Sequence, residues 1–410
     1  MICLIHMRSE VYTLKNVYLN NQKIKYMKKH SKNNLSNTIK PFFDLNFFFL
    51  IITIILFGLL ILTTASIDFA SKNYNHPFYF TFKQLGHLAF GIFICYFFLY
   101  LSSANLKKYN KIFFLFFLFL LILVIIPGVG KTVNYSTRWL SYGALNIQPS
   151  EFFKLFYIIW LCAFLETNKK IIHKARVFII PIMVFSMSAF ILLLQPDFGS
   201  TAILFLITFI MLYVAKARIL HLFTMLFCGV LGATILILVS SERLSRLNFL
   251  EPCSRYLEDG YHLCWSLMAI GSGGLFGKGL GASSTKLSYL SHPHTDFIFS
   301  ILAEELGIFG IIFIIFLFYF FMKKCFFIGN KSFRVGLLFQ GYLSYAIGIF
   351  IGSQAFLNMS VNLGIVPTKG LALPFFSYGG SNYLVSILSI AIILRIYRDV
   401  YKKSLNTSPR

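Results

Sequence analysis

Uncharged runs of 17 residues or more recur along this chain: Leu45 to Ile67, Gln84 to Leu106, Ile112 to Gly130, Val177 to Pro196, Phe198 to Ala215, Ile219 to Ser241, Leu306 to Met322, Val335 to Thr368 and Gly370 to Leu394. Each is at least roughly the ~20 residues that cross a bilayer core as a helix. A tenth stretch, from about Phe152 to Leu165, is apolar apart from Lys154. It must cross as well if the runs on either side are to keep their sides. The pattern predicts an all-α polytopic membrane protein of about ten transmembrane helices. Both termini are expected to be cytoplasmic, with a large extracytoplasmic loop, about 241–295, between helices 7 and 8.

Charge supports this topology. Of 37 Lys and Arg, 26 fall in the segments that ten helices place with the termini, 10 fall on the other side, and Lys154 is left within a helix. Basic residues collect in cytoplasmic loops, so the termini are expected inside. The net charge of +23 would suit nucleic acid on a soluble basic face. Here the charges lie between spans of a chain that is 57% hydrophobic and 12% charged, with a mean hydropathy of +0.74, and no nucleic-acid partner is expected. Residues 1–45, rich in Lys and Asn, read as a basic cytoplasmic tail rather than a cleavable signal peptide. Residues 46–398 read as a single transmembrane domain and 399–410 as a C-terminal cytoplasmic tail.

The polar motifs fall almost entirely on the outer side. Thr295 is a candidate N-cap that would put Asp296 in a first helical turn, where a carboxylate is favoured. Capping does not account for Glu304 and Glu305. At ~100° per residue, Glu304 would lie about 80° around a continuous helix from Asp296, and Glu305 about 180°. The three acids cannot share one cavity, so a single exposed carboxylate is expected, with the glutamates bonded to neighbouring helices. Ionisable groups in or beside a membrane span are functional candidates by default.

Other candidates carry structural alternatives. Gly271 to Gly281 holds enough glycine to bring backbone amides to a phosphate, with Lys278 and Lys286 supplying charge, or it is a loop returning to the membrane. Glu151 and Lys154, three residues apart, are placed to pair on one helix face, and Gln148-Pro-Ser-Glu151 reads equally as a helix start. Gln195-Pro-Asp197-Phe-Gly-Ser has the composition of a turn. Ser377-Tyr378-Gly379-Gly380-Ser381 either lets a ligand approach backbone or packs helices closely. Cys253 and Cys264 share the outer loop, where an oxidising compartment would join them; the alternative is that Cys264 lies in an apolar stretch.

In order, Arg138-Trp with Gln148-Pro-Ser-Glu, Gln195-Pro-Asp-Phe-Gly-Ser, Gly277-Lys-Gly-Leu-Gly, His294-Thr-Asp-Phe-Ile-Phe with Glu304-Glu-Leu-Gly, and Pro374-Phe-Phe-Ser-Tyr-Gly-Gly-Ser resemble the SEDS family (shape, elongation, division and sporulation) over about residues 45–398. Leu287-Ser-Tyr-Leu and Pro367-Thr-Lys-Gly-Leu-Ala-Leu-Pro374 look more like its cell-division branch than its elongation branch. The resemblance implies a peptidoglycan glycosyltransferase that polymerises lipid II at the outer face of the cytoplasmic membrane, with Asp296 catalytic. It also implies a class B penicillin-binding protein and other divisome proteins as partners. Arg138, Glu151, Lys154, Gln195, Asp197, Lys278, Lys286, His294, Thr295, Lys369, Ser377, Tyr378 and Gly379 are the candidate substrate-binding residues. Ser291-His292, Asn146 and Asn382 depart from the family pattern, and the missing arginine at 146 removes a basic contact near Lys154.

The chemistry agrees. A sugar hydroxyl must lose a proton as it attacks an anomeric carbon, so one positioned carboxylate serves as general base. The lipid diphosphate leaves as an anion and needs charge neutralisation rather than a second acid. Cations can supply that, and a divalent ion, Mg or Mn, can share it, although no closed set of ligands is evident. A flippase of lipid-linked precursors, the same polymerase acting in elongation, and a structural scaffold are the alternatives. A flippase calls for polar residues through the full membrane depth.

Overall fold

The computed structural model describes residues 44–133, 136–142, 145–238, 252–255, 260–287, 290, 293–367 and 370–407. Ser291, His292, Thr368 and Lys369 lie outside the described residues. By its internal contacts the chain divides at Phe48. In the first unit the described residues open helix α1 (Leu45–Tyr74), where the Asp44 carboxylate accepts the Asn46 N–H at 3.1 Å.

The second unit carries the rest of α1 and eleven further described helices. They are α2 (Tyr79–Tyr100), α3 (Ser103–Lys108), α4 (Asn110–Leu123), α5 (Pro149–Thr167), α6 (Ala175–Leu194), α7 (Phe198–Val214), α8 (Ile219–Leu238), α9 (Tyr261–Ser272), α10 (Ile298–Arg334), α11 (Leu338–Asn362) and α12 (Gly380–Thr407). The ten long ones coincide with the ten expected runs; α3 and α9 are the short additions. Helices α1, α2, α6 and α10 are each long and apolar enough to cross a membrane, and α4, α7 and α8 are shorter apolar helices. The tail expected from residue 399 is helical as far as Thr407, because α12 runs straight on.

The all-α expectation needs a correction between α4 and α5. Strands β1 (Gly130–Val133), β2 (Ser136–Tyr142) and β3 (Leu145–Ile147) form an antiparallel sheet in the order β1-β2-β3, with Lys131 opposite Trp139 and Ser141 opposite Asn146. Thr, Trp, Tyr, Val and Ile favour this pleated geometry, but strands this short leave little periodicity to read.

Helix α5 packs against α4, α7, α11 and α12. Almost all of it is buried, Lys154 included. This is why the one charged span is tolerated: its ammonium meets protein rather than lipid. Pro149 occupies the start of α5, as its motif predicts. Helix α10 packs along α11, and α12 along α2.

Helix α10 is broken at Gly307, whose φ of 65° and ψ of −158° interrupt it. The glycine-rich segment fills the break. The N–H groups of Lys278 and Gly279 donate to the carbonyls of Glu304 and Glu305, each at 3.0 Å, and those of Ile308 and Phe309 donate to Gly274 and Leu275 at 3.0 and 3.3 Å. Four backbone groups beside the kink thus find partners in the strap, as a buried helix break requires. The contact is backbone on backbone: a Cβ at Gly277 would lie 2.2 Å from the Glu305 carbonyl oxygen. The 241–295 segment is therefore no plain loop, since its described part holds α9 and this strap. A disulfide joins Cys253, in a 3-10 turn, to Cys264 of α9, with Cα atoms 5.0 Å apart.

Candidate active site

The turn His294-Thr295-Asp296 enters α10, and three consecutive carbonyls hold it. The His294 carbonyl accepts the Tyr378 N–H at 2.8 Å, and the Thr295 carbonyl accepts the Ser377 hydroxyl at 2.6 Å. The Asp296 carbonyl accepts two side-chain amides, Asn358 Nδ2 at 3.0 Å and Asn362 Nδ2 at 3.1 Å. Asp296 therefore stands outside the helix. The capping expectation is corrected accordingly: α10 begins at Ile298, its N-cap is Phe297 with no side-chain cap bond, and Thr295 is not the cap.

The Asp296 carboxyl is partly buried and lies against Gly370, where a Cβ would fall 3.1 Å from Oδ2. Burial pushes it up to about 6, and the Arg138 guanidinium pulls the other way. Arg138, on β2, donates Nε to the Gln195 carbonyl at 3.1 Å and Nη2 to the Pro196 carbonyl. The sheet thus carries its cation to the carboxyl and is braced on the α6–α7 turn. His294 is buried among aromatic rings, with Phe80, Phe69 and Tyr378 centroids 4.2, 5.0 and 5.9 Å away.

Of the other expected residues, Ser377 and Tyr378 meet this turn through the bonds above, and nothing lies within 4 Å of a Cβ placed on Gly379, beside Tyr378. Gln195 uses its side-chain amide on the Leu121 carbonyl at 2.7 Å. Asp197 caps α7, accepting the Ser200 N–H at 3.2 Å and hydroxyl at 2.8 Å, so its carboxylate is engaged in the turn. Glu151 and Lys154 form the expected pair at 2.8 Å, buried, with the ammonium 5.6 Å from the Phe350 ring.

The glutamates are bonded, but to the strap rather than to neighbouring helices. Glu304 accepts Lys278 Nζ at 2.7 Å, the Ser283 and Ser284 hydroxyls at 2.5 and 3.0 Å, and Thr285. Glu305 accepts Lys286 Nζ at 3.1 Å, and that ammonium also reaches the Gly281 carbonyl at 2.7 Å and the Thr64 carbonyl at 3.1 Å. The Lys278 and Gly279 amides face the carbonyls of α10, and Lys278 and Lys286 pair with its acids. Among the described residues no three of His, Cys, Asp and Glu gather as a metal site.

The motif reading overlooked Asn358 and Asn362, although the signal was present. Gln354, Asn358 and Asn362 recur every fourth residue in α11, a polar stripe that faces one way. Gln354 Nε2 donates to Asn382 Oδ1 at 3.0 Å, so Asn382 ties α12 to α11.

A helical membrane protein with one partly buried carboxyl at the end of its bundle, a guanidinium beside it, and a turn clamped by two later segments defines a membrane-embedded enzyme class rather than a soluble fold. Residues 44–402 match the FtsW/RodA/SpoVE family, described as cell cycle proteins, and the chain belongs to that family. It is a multi-pass membrane protein. It is 37% identical over 359 residues to the probable peptidoglycan glycosyltransferase FtsW of Thioalkalivibrio sulfidiphilus, covering 87% of this chain and 90% of the relative. It is 39% identical to the protein of that description from Wigglesworthia glossinidia brevipalpis, covering 88% and 96%. Among solved structures, a chain from a peptidoglycan synthase complex that coordinates polymerization and crosslinking superposes with a TM-score of 0.72 at 25% identity, over 88% of this chain and 99% of that one. The rod shape determining protein RodA of Thermus thermophilus superposes with a TM-score of 0.66 at 25% identity, over 88% and 98%.

Proposed function

We propose that this protein is a peptidoglycan glycosyltransferase that polymerises lipid II during septal cell-wall synthesis, with Asp296 as general base. The observation that carries the mechanism is the Asp296 carboxyl, held near a neutral working pH by burial and fixed through its own carbonyl. Asp296 takes the proton of the acceptor sugar hydroxyl as that oxygen bonds to the donor anomeric carbon. The bond from that carbon to the lipid diphosphate breaks, and the diphosphate leaves with the electron pair. The proton then passes to solvent. Arg138 keeps the carboxyl ionised often enough to act and offers positive charge toward the diphosphate.

In this reading residues 46–398 form one transmembrane domain of ten spans between the tails 1–45 and 399–410. Both tails are cytoplasmic and the Asp296 end faces outward in the cytoplasmic (inner) membrane, as the basic bias of the opposite loops supports. The single-span class B penicillin-binding protein expected as partner would crosslink the strands, in keeping with the crosslinking complex to which the fold is similar. Ser377, Tyr378, Gly379, His294, Thr295 and Lys369 are proposed to line the substrate path; Glu151, Lys154, Gln195, Asp197, Lys278 and Lys286 are proposed to support it through the bonds described above.

Purified protein with its transpeptidase partner is expected to make glycan chains from lipid II. Asp296→Ala and Asp296→Asn should each lower the rate by at least about 10²-fold, the lower end of what a positioned general base supplies. Undiminished polymer from either variant would end the general-base role. Movement of labelled lipid across vesicles without polymer would favour transport instead.

A further inference from the structure

Asn358 and Asn362 do more to Asp296 than fill a core. A carbonyl oxygen has two lone pairs, and at Asp296 each receives one asparagine amide. The second hydrogen of each amide is also committed, Asn358 to the Leu371 carbonyl and Asn362 to the Asn358 carbonyl at 2.9 Å. Asn362 is itself oriented, because its Oδ1 accepts the Ser300 hydroxyl at 2.6 Å. The Ser266 hydroxyl of α9 lies 2.6 Å from that of Ser300 and reaches the Asn362 carbonyl at 2.8 Å. Both asparagines are buried, with 1% and 0% of their surface exposed.

A helix extending N-terminally through Asp296 would need this carbonyl for the N–H of Ser300, four residues on. That N–H bonds instead to Phe297, three residues back, at 3.0 Å. We propose that Asn358 and Asn362 are positioning residues that end α10 at Ile298 by occupying the Asp296 carbonyl, and so hold the Asp296 carboxyl outside the helix, facing Arg138 and Gly370. This inference rests on Asp296 being the general base. Without the two amides the carbonyl rejoins the helix, the first turn winds back through Asp296, and the carboxyl swings away from the acceptor hydroxyl. A misplacement of about 1 Å costs on the order of 10²-fold in rate.

The test is polymerisation of lipid II by the full chain with its partner, comparing Asn358→Ala, Asn362→Ala and the double variant, with thermal unfolding of each. Each single variant should lose about tenfold in kcat with KM within about twofold, since one amide still holds the carbonyl. The double variant should lose about 10³-fold, more than the product of the singles, because the two share one acceptor. Ser300→Ala removes the hydroxyl that orients Asn362 and meets Ser266; it should lose about threefold in kcat with a melting temperature within a few degrees of wild type, and it keeps the question answerable if the alanine pair does not fold. A double variant with wild-type kcat would overturn the proposal, as would kcat losses that track losses of melting temperature across the set. Asp296→Asn in the same assay separates the two ideas. If it stays active, the general-base reading falls; if it is dead while the asparagine variants are not, only the positioning role falls.

Discussion

Asp296 is one of 14 acidic residues in the chain. Asp197, Glu304, Glu305 and Glu151 each have bonded partners, whereas burial works against the ionised Asp296 carboxyl and the Arg138 guanidinium favours it. Its protonation with a value of about 6 fixes the direction of two pH effects. The base form is lost as pH falls through about 6, so kcat should drop about tenfold per pH unit below it, read from initial rates of lipid II polymerisation. Arg138→Gln removes the opposing cation and should move this limb to higher pH. The folded state binds this proton more tightly than the unfolded chain, so the group's contribution to stability is complete below its ordinary carboxylate value and is lost as pH rises through about 6. Asp296→Asn is therefore expected to melt a few degrees above wild type at neutral pH while losing activity, the usual trade at a buried catalytic group. A rate limb that stays in place in Arg138→Gln would count against Arg138 as the opposing charge. Sequence marked Asp296 by its cost at the mouth of an apolar run; it could not say that the residue lies outside the helix, because that depends on asparagines 62 and 66 positions away.

Among the elements, the glycine-rich strap shows how a motif can be legible in composition but not in purpose. Its glycines do present backbone closely, but to the broken turn of α10. Two of them separate the requirements. Gly277 has φ of 79° and meets the Glu305 carbonyl, whereas Gly279 has φ of 103° with nothing within 4 Å of an added Cβ. Gly279→Ala should thus cost only the left-handed backbone, about 1–2 kcal/mol. Gly277→Ala must also push two backbones apart and should cost about 2–3 kcal/mol more, measured by thermal unfolding in detergent. Equal costs at the two positions would dismiss the strap as a splice. The sheet between α4 and α5 escaped notice for a related reason. Its strands gain from cross-strand pairing and from Arg138 bonding to the α6–α7 turn, neither of which appears in the local pattern.

At the scale of the molecule, the packed helices bring together the Asp296 turn, the β2 arginine, the α11 asparagines and the Ser377-Tyr378 segment. That cluster around one carboxyl suits a polymerase, whereas a flippase calls for polar groups arranged as a path through the full membrane depth. If the protein builds septal wall, a fluorescent fusion should concentrate at midcell during constriction; an even distribution along the side wall would assign it to elongation. The span ranges, the expected orientation and the choice of Asp296 followed from sequence alone, because hydropathy, charge bias and the cost of an acid beside a membrane are properties of short stretches of chain. Tertiary structure decided which acids are neutralised, that the glycines mend a helix, and that two asparagines from a later helix end α10 beside Asp296. Those outcomes depend on which distant backbone group each polar atom meets, and a buried donor must take the partner that packing brings to it.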